Sequence, residues 1–164
     1  MKEHRTVKAL LALRKLHETR AAERVVASEA ALRAAERDAV DTRVQHKDYM
    51  TSLQEHERDI LGSIHSKVMS PHELENIQDS LDAFKAQGNT LAKKVAKAQS
   101  SMRSRSNELR AAQEHLKQKQ REHLKLETYD QELDAADEIR DLIITENDDA
   151  DRAQTGKQYQ LKPI

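Results

Sequence analysis

The chain contains no cysteine and no tryptophan, three glycines and two prolines, and only 2% of its 164 residues are aromatic. Without cysteine there is no disulfide framework, no thiolate zinc site and no thiol nucleophile. Tyr49, Phe84, Tyr129 and Tyr159 are the whole aromatic set, too little bulk for the core of an ordinary globule of this length. Long apolar runs are missing as well. Lys2 and Arg5 precede Ala9-Leu10-Leu11-Ala12-Leu13, but Arg14 and Lys15 close that run before it reaches the length of a secretory leader. No stretch approaches the roughly 18 apolar residues of a membrane span. The sequence therefore predicts a soluble, cytoplasmic protein with no direct membrane insertion.

What is present is charge and helix propensity. Charged residues make up 35% of the chain and hydrophobic ones 37%. Two classes tolerate that polarity: disordered chains, and long helices that bury one narrow seam. Ala, Leu, Glu, Lys, Arg and Gln dominate, all strong helix formers. A disordered chain has little reason to avoid glycine and proline so thoroughly, so long helices are the better reading.

Ser70-Pro71-His72-Glu73 marks where the chain turns. Serine is a preferred N-cap, proline suits the first helical position, and Glu73 completes a capping box. A helix should begin at Pro71. The residue before a proline avoids the α region, which puts the end of the preceding helix near Val68. The predicted layout is helix 1 over about 3–68, a turn at 69–70, helix 2 over about 71–146, and a flexible tail over 147–164. Gly88-Asn89 is the expected weak point in helix 2. At 1.5 Å per residue helix 1 spans on the order of 95 Å.

Apolar residues at alternating three and four spacing run through helix 2 from Leu74, Ile77, Leu81 and Phe84 to Leu116 and Leu126. Gly88, Arg105, Lys119 and His123 fill the other places on the grid, a coiled-coil seam. Beyond Leu126 the apolar pattern predicts a three-residue phase slip to Tyr129, Leu133, Ala136 and Ile143. In helix 1, Leu11, Val25, Leu32, Ala39, Leu53 and Ile60 repeat at multiples of seven, with Glu18 and His46 as polar members. Ala21, Ala35 and Tyr49 fall midway, an alanine-rich seam that predicts close helix approach. The fold class is all-α: a long two-helix antiparallel coiled-coil hairpin.

Charge supports that direction. Residues 1–24 carry seven basic and three acidic side chains, net +4, while residues 127–151 carry eleven acids against Arg140, net −10. Folding back at Ser70 sets these segments side by side, which favours that register.

No catalytic motif is present: there is no phosphate-binding glycine loop, nucleophile elbow or HExxH pair, and neither an enzyme nor a cofactor is expected. Of the eight histidines, His115 and His123 are two turns apart, too far to share one metal ion, and read as part of a solvated face. His46 reads as a tolerated polar seam residue. Residues 85–125 are net +8, which would suit a nucleic-acid stripe. No aromatics stand there for base stacking and the acidic segment would repel a polyanion, so a protein-binding face is the better account.

Three segments carry a resemblance to the YscO family of type III secretion proteins, which are similar to flagellar FliJ. They are the basic start leading into the Ala/Glu/Arg-rich stretch Leu10–Glu36, Asp48-Tyr49-Met50-Thr51-Ser52-Leu53, and Leu74-Glu75-Asn76-Ile77-Gln78-Asp79-Ser80-Leu81. The resemblance implies a central stalk at the cytoplasmic base of the secretion apparatus, coupling a hexameric export ATPase to the membrane export gate. It also implies binding of secretion chaperones, a use for the basic face. On the gate side it points to Tyr49, Ile77, Leu81 and Phe84, which the seam equally accounts for by packing. On the ATPase side it points to Arg14, Arg20, Asp137, Glu138 and Asp141. The alternatives are a generic coiled-coil adaptor or chaperone-like binding protein and a nucleic-acid-associated rod.

Overall fold

The computed structural model describes residues 2–160, which form two helices, α1 (Lys2–Ser66) and α2 (Pro71–Gln160). Together they make an all-α hairpin with no strand among the described residues. α1 stops two residues short of the expected end, and Lys67–Ser70 form the link. Reversing the chain takes several non-helical residues, and the pre-proline position cannot supply them alone. The capping box forms as expected: the Ser70 amide donates to the Glu73 carboxylate at 2.7 Å, and the Glu73 amide donates to Ser70 Oγ at 3.3 Å. The Ser70 amide holds the Glu73 carboxyl below its ordinary pKa.

α2 does not break at Gly88-Asn89, and it continues past Asn147. The segment expected to be a flexible tail is therefore helix through Gln160, with 161–164 outside the described residues. Extending a helix that is already packed needs no new nucleation, and a single glycine costs only about 1 kcal/mol against that.

The helices pack as two units, residues 23–114 and residues 1–22 with 115–164. In the first, the α1 seam runs through Val25, Leu32, Ala39, Tyr49 and Leu53, and the α2 seam through Ile77, Phe84, Gly88, Val95 and Ala98, all half-buried or buried. Ala39 and Ala98 are among the most buried side chains, as close helix approach requires. Gly88 is buried, and a Cβ built there would stand 3.5 Å from Met50 Sδ and 3.6 Å from Tyr49 Cε1. The Tyr49 ring lies against α2 at this position, and the helix runs through it unbroken.

Both contacts at Gly88 are ordinary van der Waals distances, and a Cβ at Gly62 would meet nothing within 4 Å. Neither glycine has a positive φ. Alanine at either position is expected to raise the unfolding free energy by about 0.5–1 kcal/mol, read from denaturant midpoints. A loss at position 88 would show that the Tyr49 contact tolerates no added methyl.

In the second unit the α1 seam passes through His4, Val7, Leu11, Arg14, Glu18 and Ala21. On α2 the predicted phase slip is absent. The half-buried positions after Leu126 are Asp130, Leu133 and Asp137, which continue the original grid. Tyr129, Ala136 and Ile143, assigned to the slipped seam, are exposed, Tyr129 to 49% and Ile143 to 52%. Apolarity misplaced the seam here because Asp137, paired with His4, occupies it.

Candidate functional site

The unit built from 1–22 and 115–164 is held by ion pairs along its seam. His4 reaches two carboxylates on α2: Nδ1 lies 3.2 Å from Asp134 and Nε2 lies 2.8 Å from Asp137. Arg140, one turn on, also reaches Asp137 at 3.0 Å. Further along, His123 Nδ1 lies 2.8 Å from Glu18, and Lys15 donates to the same carboxylate at 3.3 Å. Between these, Arg14 pairs with Glu122, which also accepts from Lys119 at 3.1 Å and Gln118 at 3.2 Å.

Three of these acids, Glu18, Glu122 and Asp137, are tuned toward their ionised forms. The His123 contact holds Glu18 below the usual carboxylate pKa, the Lys119 contact does so for Glu122, and the His4 contact for Asp137. A carboxylate whose folded pKa is depressed stabilises the fold above its unfolded pKa and loses that contribution as pH falls through the folded value. Thermal unfolding is therefore expected at a lower temperature at about pH 3 than at about pH 7, with the loss beginning below about pH 5. An unchanged midpoint would show that the pairs add nothing to the folded state.

Of the residues assigned to the ATPase side, Arg14 and Asp137 are engaged across the hairpin, while Arg20, Glu138 and Asp141 are exposed. The sequence reading missed His4 and Glu122, and it placed His123 on a solvated face. His123 is half-buried and paired with Glu18. The signal was available. His4 lies seven residues before Leu11 on the α1 grid, and Glu18 and His123 are grid positions of opposite character on facing helices.

The residues assigned to the gate side lie on the seam of the 23–114 unit. The Tyr49 hydroxyl donates to the Phe84 carbonyl at 2.8 Å, and the two rings stand 6.5 Å apart. His56 lies closer to the Phe84 ring, 4.7 Å between centroids. Ile77 and Leu81 are half-buried on the same seam. Packing therefore engages all four, and none of them is fully buried. On the basic stretch of α2, Arg105 pairs with Glu108 and Lys119 with Glu122. Lys85, Lys93, Lys97, Arg103 and Arg110 are exposed.

No helix among the described residues is long and apolar enough to cross a membrane. No curated protein matches the chain. The crystal structure of type III secretion protein YscO from Vibrio parahaemolyticus is similar in fold, with a TM-score of 0.77 at 16% sequence identity, covering 98% of this chain and 96% of that one. The family model for type III secretion protein YscO matches residues 7–154, nearly the whole hairpin, and the chain belongs to the YscO family of type III secretion proteins.

Proposed function

We propose that this protein is a non-catalytic stalk coupling the hexameric secretion ATPase to the cytoplasmic domain of the membrane export gate. The family match over residues 7–154 carries this reading. The mechanism asks for no active site. A two-helix hairpin has no internal six-fold symmetry, so it presents different faces to six identical subunits and biases them unequally. The charged segment near the termini, with exposed Arg20, Glu138 and Asp141, faces the ATPase. The exposed edges of Tyr49, Ile77, Leu81 and Phe84 face the gate.

The test is hydrolysis by the cognate ATPase at saturating hairpin. Several-fold stimulation or promoted ring assembly is expected, together with its loss in an R20E/E138K/D141K variant that keeps its helicity. No stimulation at saturation would overturn the proposal. A second role is favoured by the exposed lysines and arginines of α2, which suit acidic secretion chaperones. Salt-sensitive capture of purified chaperones would support that role. Recovery of chaperones without any ATPase or gate component would favour a general adaptor instead. Nucleic-acid binding has no aromatic platform on the basic stretch 85–125 of α2.

A further inference from the structure

Between Asp82 and Glu108 the chain has no acidic residue, although Asp and Glu fill 29 of its 164 positions. The large apolar side chains of that interval, Phe84, Leu91, Val95 and Met102, are half-buried on the seam. The opposite side of α2 is therefore left to cations and small polar groups. Lys93, Lys97, Ser100, Arg103, Asn107 and Arg110 follow one another at spacings of three and four, and every one is exposed. Lys93, Lys97 and Ser100 each stand two residues past a seam position, Leu91, Val95 and Ala98, which is about 200° around the helix. None of the four cations in the row has an ion-pair partner among the described residues. Glu108, next to Asn107, pairs with Arg105 instead, at 2.8 Å. At 1.5 Å per residue the row is about 26 Å long.

We infer that this row docks on an anionic phospholipid bilayer, its lysines and arginines on the headgroup phosphates and Ser100 and Asn107 hydrogen-bonding between them. Three features select a membrane surface over other polyanions. The row runs along one side of a helix, so a plane meets every member, whereas the phosphates of a nucleic-acid duplex wind away from a straight line. It holds no large apolar or aromatic side chain, the anchor on which a fixed protein interface is built. Mobile lipids need no such anchor, because they gather under fixed cations, and roughly four to eight Lys or Arg on a helix are enough to hold an anionic surface. The acidic segment does not cancel this attraction. About 26 Å of α2 lies between Arg110 and Glu127, more than about two Debye lengths at physiological salt. With nothing apolar in the row to enter hydrocarbon, the contact is peripheral, without insertion.

Vesicle binding is read with no ATPase, gate or chaperone present, so it succeeds or fails apart from the coupling role. The full chain is sedimented with vesicles of phosphatidylglycerol and phosphatidylcholine in equal parts, and half of it is expected to bind at about 1 mM accessible lipid in about 0.1 M salt. Vesicles of phosphatidylcholine alone should bind at least about tenfold more weakly. Raising the salt to about 0.5 M should release the protein. K93E/K97E/R103E is expected to weaken binding at least about tenfold with helicity intact, because these side chains are exposed and unpaired. R43E/K47E/R58E makes the same change of net charge at exposed positions of α1 and should alter binding by no more than about twofold. Equal losses in the two variants would show attraction by net charge alone and overturn the inference. So would equal binding to both kinds of vesicle, or no binding at about 5 mM lipid. Tighter binding of a short DNA duplex, or of polyglutamate, at equal anionic charge would overturn it in favour of a nucleic acid or an acidic protein.

Discussion

Leu53→Ala is expected to lower the unfolding free energy by about 2–3 kcal/mol and the thermal midpoint by about 5–10 °C. Leu53 is 7% exposed, and with Val7 it is one of two buried side chains larger than alanine among the described residues. A two-helix seam has no second layer to refill the space, so truncation removes contact with α2 outright. Leu61, eight residues away on the same helix, is 58% exposed. Leu61→Ala removes the same atoms from water-facing surface and is expected to change stability by no more than about 0.5 kcal/mol. Equal losses at the two sites would mean that the seam does not pass through Leu53. Urea midpoints on both variants decide the matter.

Ala21→Leu acts in the opposite sense. Ala21 is 2% exposed, closed in on the seam, and a position so covered has no room for an isobutyl group. Overpacking of this kind costs about 1–3 kcal/mol. The damage should spread, because the Glu18–His123 pair lies one turn away and closes only if the helices keep their separation. The variant is therefore expected to lose stability and also to show a weaker dependence of its thermal midpoint on acid pH than the parent chain. If stability falls but the pH dependence is unchanged, the seam and its ion pairs are not coupled.

Much of this architecture was legible in the sequence, for identifiable reasons. Ser70-Pro71-His72-Glu73 combines three local constraints on one turn, and local constraints do not depend on what packs against them. The α2 grid from Ile77 to Leu126 held because its members are mostly apolar and the buried ones coincide with it. Pattern reading failed where polar side chains take apolar places. Asp137 sits on the seam because His4 compensates it, and compensation by a residue 133 positions away leaves no mark in local periodicity. The exposed row through Tyr129, Ala136 and Ile143 then drew the eye as the more apolar choice. Gly88 misled for a related cause: its freedom to bend is local, whereas its fit against Tyr49 is tertiary. The candidate contact residues were the least legible part. An exposed charge such as Arg20 looks the same in sequence as Arg14, which the hairpin itself uses.

The Tyr49–Gly88 contact has a mechanical consequence. Seams lined by alanine are smooth, and two such helices resist slippage along their axis poorly. Shifting α2 by one heptad in either direction would bring Leu81 or Val95 to the place of Gly88, where the tyrosine ring leaves room for nothing that large. The ring and the missing side chain thus act as a key in a notch. They block axial shear, so a load applied along one helix must be carried by both.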